Sequence, residues 1–264
     1  MKLHLIYFFL LIASIEANPP LYWWEPSPDR SNFGDALSAL IVERVLGHRV
    51  EKADIDDTNK LLAIGSILQF AMDGDIVWGA GINGKHPVIQ DYHIRNLDVR
   101  AVRGPLSRCF LRLLGIEVPE IYGDPALLLP KLCPEFKKEP KSDYLVIPHI
   151  SEIDLFPQDG HVVYPDEPWD VIVEKIVKSK FVIASSLHGI IVAEAFGIPT
   201  RWLRVTENEP KFKYHDYYLG TGRHMSQCAR SVEEALKLGG ERPIVIDLNQ
   251  LMEAFPMNLF EDQL

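Results

Sequence analysis

The chain reads as short apolar runs alternating with amphipathic stretches. After Pro20, "LYWWEP" predicts a short first strand. In "SNFGDALSALIVERVLG", Leu37, Leu40, Ile41, Val45 and Leu46 recur at helical spacing, and Gly47 supplies a C-terminal stop. "KLLAIGS" and "GDIVWGAG" are apolar runs ending in glycine. "DVRAVRGP" predicts a further strand, "LSRCFLRLLG" a helix, and "PEIYGDPALLL" a strand followed by a turn. The polar, proline-bearing stretch "PKLCPEFKKEPKSD" marks a boundary. Beyond it come "YLVIPHI", "HVVYP", the helix "PWDVIVEKIVKSK", the strand "FVIAS", the helix "GIIVAEAFG" and the strand "PTRWLRV". "FKYHDYY" reads as an aromatic loop, with "RSVEEALKLG" and "LNQLMEAF" as later helices. Strands alternating with helices predict parallel sheets covered by helices, an α/β fold. Residues 19–132 and 141–236 are expected to form two small domains facing a cleft, with 237–264 docking back on the body. Ligands in such sheets sit beyond the carboxyl ends of the strands, so each strand-to-helix turn is a candidate site.

The N-terminus departs from this alternation. "MKLHLIYFFLLIASIEANPP" has one early lysine, an apolar run and then small and polar residues. That is the anatomy of a secretory signal over residues 1–18, with cleavage after Ala17, and it predicts export or the secretory pathway. The same run read as a buried first strand predicts a cytoplasmic protein. It is too short for a comfortable membrane span, and no other segment is a candidate. The 264 residues carry a formal net charge of -10, which argues against nucleic-acid binding through a broad basic surface. Cys109, Cys133 and Cys228 lack metal-ligand spacing, and no metal site is expected.

An acidic chain that binds an anion must gather cations locally, and four turns qualify. "GAGING" matches G-x-G-x-x-G at Gly79, Gly81 and Gly84, but "KHPVIQDYHI" lacks helical periodicity and the next strand ends in "RAVRG". A turn that brings backbone close to a ligand, or a plain tight turn, fits better than a nucleotide fingerprint. In "NFGDALS", Asp35 is either a helix N-cap or a general base facing the cleft. In "VRAVRGPLS", Pro105 opens a helix, so Arg103 stands beside a positive helix terminus suited to phosphate or carboxylate. Its alternative is a pair with a carboxylate across the domain. Arg100 lies inside the strand and points elsewhere. In "ASSLHG", Ser185 or Ser186 can cap a helix whose first turn carries His188, with Gly189 leaving room for a ligand. His188 then serves as a proton donor at an anion site, or as a hydrogen-bonded core residue. "FKYHDYY" offers Lys213, His215 and Asp216 as a rim element or surface cluster, and Asp124 of "GDPALLL" reads as a turn residue.

"NFGDALS", "AIGSIL", "VWGAGI", "VRAVRGPLS", "GDPALLLP", "SLHGIIVAEAFGIP", "FKYHD" and "MEAFP", in this order, resemble the polysaccharide pyruvyl transferase family, especially its ketal-pyruvate branch. The resemblance implies two Rossmann-like domains similar to the B-type glycosyltransferase fold. It further implies phosphoenolpyruvate as donor substrate, no separate cofactor, and a glycan acceptor that gains a cyclic pyruvate ketal. By the same resemblance the donor is bound by Arg103, at a strand-to-helix turn of the first domain, and by Ser186, Leu187, Gly189 and Lys213 on the second-domain side. Asn32, Gly34 and Gly81 bind the acceptor on the first-domain side, and His188 and Asp35 are catalytic. The family's R-L-H segment appears here as Ser186-Leu187-His188, so one guanidinium is replaced by a hydroxyl and Lys213 is the substitute cation. Two other readings stay open on the residues alone: a sugar-nucleotide glycosyltransferase, and a non-catalytic exported glycan-binding protein.

Overall fold

A computed structural model describes residues 18–27, 30–85, 88–157, 159–224 and 227–260; the signal-like segment up to residue 17 lies outside them. Two parallel sheets account for the strands. The first holds β1 (Leu21–Tyr22), β2 (Leu61–Leu62), β3 (Ile76–Trp78) and β4 (Asp98–Ala101) in that order. The second holds β5 (Leu145–Ile147), β6 (Val182–Ala184) and β7 (Thr200–Trp202). The helices are α1 (Phe33–Leu46), α2 (Pro105–Leu113), α3 (Leu129–Leu132), α4 (Trp169–Val177), α5 (Leu187–Ala195), α6 (Phe212–Gly220), α7 (Val232–Leu238) and α8 (Leu248–Glu253). Gly47 ends α1 in the left-handed conformation, as its position in the sequence predicts.

Alternate strand residues go to opposite faces. Leu21, Leu61, Ile76, Trp78 and Ala101 point one way and Tyr22, Leu62, Val77 and Val99 the other, into two different apolar clusters. In the second sheet Leu145, Ile147, Val182, Ala184 and Trp202 enter the same large cluster as the first set, while Val146 and Ile183 face a third. The two sheets therefore share a core, with α1 packed on α4 and α5 inside it. The C-terminal helix docks on the first sheet: Trp78 Nε1 donates to the Leu251 carbonyl at 2.8 Å, and Phe255 meets the Trp78 ring edge-on.

The aromatic stretch departs from the sequence reading, and a short helix, α3, follows the expected turn. "FKYHDYY" is helix α6, with Lys213, Tyr214, Asp216, Tyr217 and Tyr218 all buried. "DPALL" is a 3-10 turn that Asp124 caps by accepting from the Ala126 N–H, and it runs into α3. Among the described residues no helix opens after Gly84, where a nucleotide fingerprint would require one; the next described element is a 3-10 turn at Ile89–Asp91.

The buried side chain of Asp216 joins α6 to the first sheet. One carboxylate oxygen accepts from the Leu106 and Ser107 N–H groups at the start of α2, each at 2.9 Å. The other accepts from Ser107 Oγ at 2.6 Å and from Arg103 Nε and Nη2 at 3.1 and 3.0 Å. Gly104 and Gly220 allow this approach, since a Cβ on either would lie about 2 Å from opposing backbone oxygen (1.9 Å from that of Asp216 and 2.3 Å from that of Arg103). Asp216→Ala leaves a buried guanidinium and two helix amides without their carboxylate. The expected loss is about 3–5 kcal/mol of folding stability in urea titration; a loss below about 1 kcal/mol would show that the pair is dispensable.

Candidate functional site

Turns at the carboxyl ends of strands from both sheets converge on one cavity of about 350 Å³. Ser66 and Ile67 follow β2, Asn83 and Lys85 follow β3, His149 follows β5, and Ser186, Leu187 and His188 follow β6. Asn32 and Asp35 from the start of α1, with Glu209 and Lys213 from and just before α6, complete the wall.

The two serines after β6 divide the work of shaping this corner. Ser185 Oγ accepts the His149 N–H at 2.8 Å and so ties the end of β5 to that of β6. Ser186 is the N-cap of α5, its Oγ accepting from the Gly189 N–H at 3.3 Å. His188 is thereby held in the first turn, nearly buried, with Nε2 3.4 Å from Asp124 Oδ2. Neither of these two atoms has a hydrogen bond within standard geometry. The Nδ1 edge lies against Gly34, where a Cβ would stand 1.7 Å away.

Asp35 lies on the same wall. Asn32 Nδ2 donates to its Oδ2, and Gly65 leaves room for its other oxygen. Burial pushes the carboxyl up to about 6, against the downward pull of His188, of the Asn32 hydrogen bond and of Lys213. Across the cavity Glu209 pairs with Lys213 and, at 2.7 Å, with Lys85. Burial raises the Glu209 carboxyl, but the Lys213 ammonium, with His149 and Lys85, more than offsets this and holds it below the usual range. Lys213 is pulled down by its burial, with Glu209 opposing. His149 is driven down to about 3 by burial and by Lys213, so it is neutral at pH 7; its Nε2 lies 3.4 Å from Lys213 Nζ.

The model of the polysaccharide pyruvyl transferase family matches residues 32–207, a span that contains Asn32, Asp35, Lys85, His149 and His188. The chain belongs to the polysaccharide pyruvyl transferase family. Succinoglycan biosynthesis protein ExoV of Rhizobium meliloti (strain 1021) is 31% identical over 74% of this chain and 63% of its own length. Uncharacterized protein L143 of Acanthamoeba polyphaga mimivirus is 28% identical over 70% of this chain and 69% of its own. A functionally uncharacterized crystal structure from Klebsiella pneumoniae superposes with a TM-score of 0.44 at 12% identity, covering 80% of this chain and 93% of that one.

Among the residues expected at the site, Asn32, Asp35, Ser186, Leu187, His188 and Lys213 line the cavity of this pyruvyl transferase family member. Four others do not, for steric and electrostatic reasons. Arg103, expected to hold a donor anion, is fully buried and given over to Asp216, Ser66 Oγ and the Ile82 carbonyl. The anion at the α2 terminus is the protein's own carboxylate. Gly81, expected at the acceptor, makes room for that guanidinium, which a Cβ would meet at 2.4 Å. Gly34 makes room for the His188 ring. Gly189 faces the second sheet, where Ala184 and Ile147 stand 3.1 Å from its Cβ position, and so sets the approach of α5. Lys85, His149 and Glu209 were missed. His149 ends a strand as His188 does, so the strand-end rule reaches it; Glu209 stands one helical turn before Lys213.

Asp35 carries a stability signature. Its folded carboxyl titrates near 6 against an ordinary 3.8, so the folded state resists its ionisation. The cost is absent below about pH 4, grows through about pH 4–6, and is complete above, on the order of 3 kcal/mol. Asp35→Asn is therefore expected to raise Tm at pH 8 and leave it unchanged at pH 3.5. Equal shifts at both pH values would show that the carboxylate is not strained by burial.

Proposed function

We propose that this cavity binds phosphoenolpyruvate and that the protein transfers its pyruvyl group to a glycan as a cyclic ketal. One observation carries the reading: within the stretch that matches the family, an imidazole 3.4 Å from a buried carboxylate shares a cavity with Asp35 and Lys85, and Lys213, just beyond that stretch, lines the same cavity. Lys85 and Lys213 both pair with Glu209, and their ammonium groups on this wall are the cations offered to a donor that carries a phosphate and a carboxylate. The first turn of α5 adds its dipole. The lysines thus supply the charge that the serine at 186 does not.

The reaction balances on this chain's own groups. The His188 imidazolium gives a proton to the methylene carbon of the donor, leaving positive charge at C2. A sugar hydroxyl bonds to C2 as its proton passes to Asp35. The bond from C2 to the phosphate oxygen breaks, and a second hydroxyl of the same sugar closes the ketal as its proton leaves with the phosphate. One donor and one diol give one ketal and one inorganic phosphate, and no water is consumed. Return of the proton from Asp35 to His188 resets the site. Preorganised ammonium groups at the departing phosphate contribute to the rate.

The test is donor-dependent phosphate release by the purified chain with a panel of glycans, each product checked by mass for the added ketal. His188→Ala is expected to lower turnover by about 10²–10⁴-fold while the protein keeps its unfolding midpoint; undiminished activity removes His188 as the acid. Turnover is expected to fall as pH drops through about 6, where Asp35 takes up a proton. Phosphoenolpyruvate is expected to raise Tm through mass action where nucleotide sugars do not. Stabilisation by a nucleotide sugar alone would replace this reading with a glycosyltransferase.

A further inference from the structure

A second depression, of about 630 Å³, adjoins the cavity and shares Gln69 and Phe70 with it. It lies within the range of about 300–1,000 Å³ typical of ligand sites. Its far wall is the segment from Asp91 to Ile94, and Met72 and Asp73 close the near side. Its chemistry is opposite to that of the cavity. Asp73 and Asp91 are carboxylates, the Asp73 carboxyl is held below its usual range by the Arg95 and Asn96 N–H groups, and no lysine or arginine lines it. Such a wall repels an anionic donor. Aromatic surface from Phe70 and Tyr92, with carboxylates at the rim, suits a neutral molecule rich in hydroxyls.

The junction makes the same demand independently. Gln69 Oε1 and Asn83 Oδ1 are buried and without a hydrogen-bond partner. Both belong to residues of the cavity wall, and Gln69 also belongs to the groove. A buried amide oxygen left unpaired is costly, and a hydroxyl donor removes that cost. Neither residue takes part in the acid–base steps.

We propose that this groove is the acceptor subsite: it holds the saccharide units flanking the residue that is pyruvylated, while Gln69 and Asn83 take hydroxyls of that residue at the junction. The proposal rests on the transferase reading and assigns a place to the glycan units beside the one that is pyruvylated. It also moves acceptor recognition away from Gly34 and Gly81 to the loops that follow β2 and precede β4.

The experiment uses the full chain with methyl glycosides of glucose, galactose and mannose, and with tetrasaccharides of the same sugars. Binding is read by saturation-transfer NMR and donor binding by the phosphoenolpyruvate-induced rise in Tm. At least one tetrasaccharide is expected to bind more tightly than its methyl glycoside. Asp91→Ala, at an exposed position, and Gln69→Ala are each expected to weaken that tetrasaccharide about tenfold, and Asp91→Ala, outside the donor cavity, is expected to retain the donor-induced rise in Tm. Failure of every tetrasaccharide to bind overturns the subsite, as does wild-type affinity in both variants. A reduced donor response in Asp91→Ala also overturns it, because the groove would then hold donor. Saccharide binding that follows this pattern without any phosphoenolpyruvate response sinks the transferase reading and leaves the subsite standing. Donor turnover with groove variants indistinguishable from wild type sinks the subsite alone.

Discussion

The carboxylate of Asp216 sits where the free amides at the start of α2 converge with the Arg103 guanidinium, and the position of α6 follows from that contact. A buried carboxylate is tolerable only when its lone pairs are filled, and here helix amides, a hydroxyl and a guanidinium fill them. With α6 pinned, Lys213 three residues earlier is carried to the cavity wall, and Tyr214 reaches across to donate to the Ser185 carbonyl at the end of β6. One interaction therefore orients a helix that touches both sheets and brings the ammonium of the second half against the turns of the first.

The site is governed by where side chains are absent as much as by where they are present. Gly34 leaves the space in which the His188 ring lies, Gly65 the space for Asp35, and Gly81 the space for Arg103. Gly79, at φ +95, lets the turn after β3 pass Pro125, which a Cβ would meet at 2.3 Å. Glycines that resemble a phosphate-binding fingerprint in the sequence thus work as clearances for packing. The charged groups fall into two sets. Asp35 and His188, with Asp124 behind His188, form one, and Lys85, Lys213 and Glu209 the other.

Much of the fold was legible because it depends on short-range periodicity. Every strand of both sheets and helices α1, α2, α4, α5, α7 and α8 fall on runs whose apolar spacing or alternation marks them. Helix α6 was not legible: it buries tyrosines, a lysine and an aspartate around its circumference, so no single apolar stripe identifies it. The turn at "DPALL" was legible from a capping aspartate followed by proline at the first position, whereas the four-residue helix α3 that follows it is too short to show a period.

The sequence by itself determined the order and type of most elements, the strand-end turns as the places for chemistry, and the ordered motifs that mark the family. Tertiary structure decided which polar groups face each other. For the Arg103 guanidinium the sequence left open an external anion or a carboxylate of the same chain, and the fold pairs it with Asp216, 113 positions away. Likewise Asp124 and His188, and Lys85 and Glu209, meet only after both sheets have assembled. The reason is physical: periodicity is set by neighbours a few residues apart, whereas a charge is satisfied by whatever packing brings within about 4 Å, at any distance along the chain.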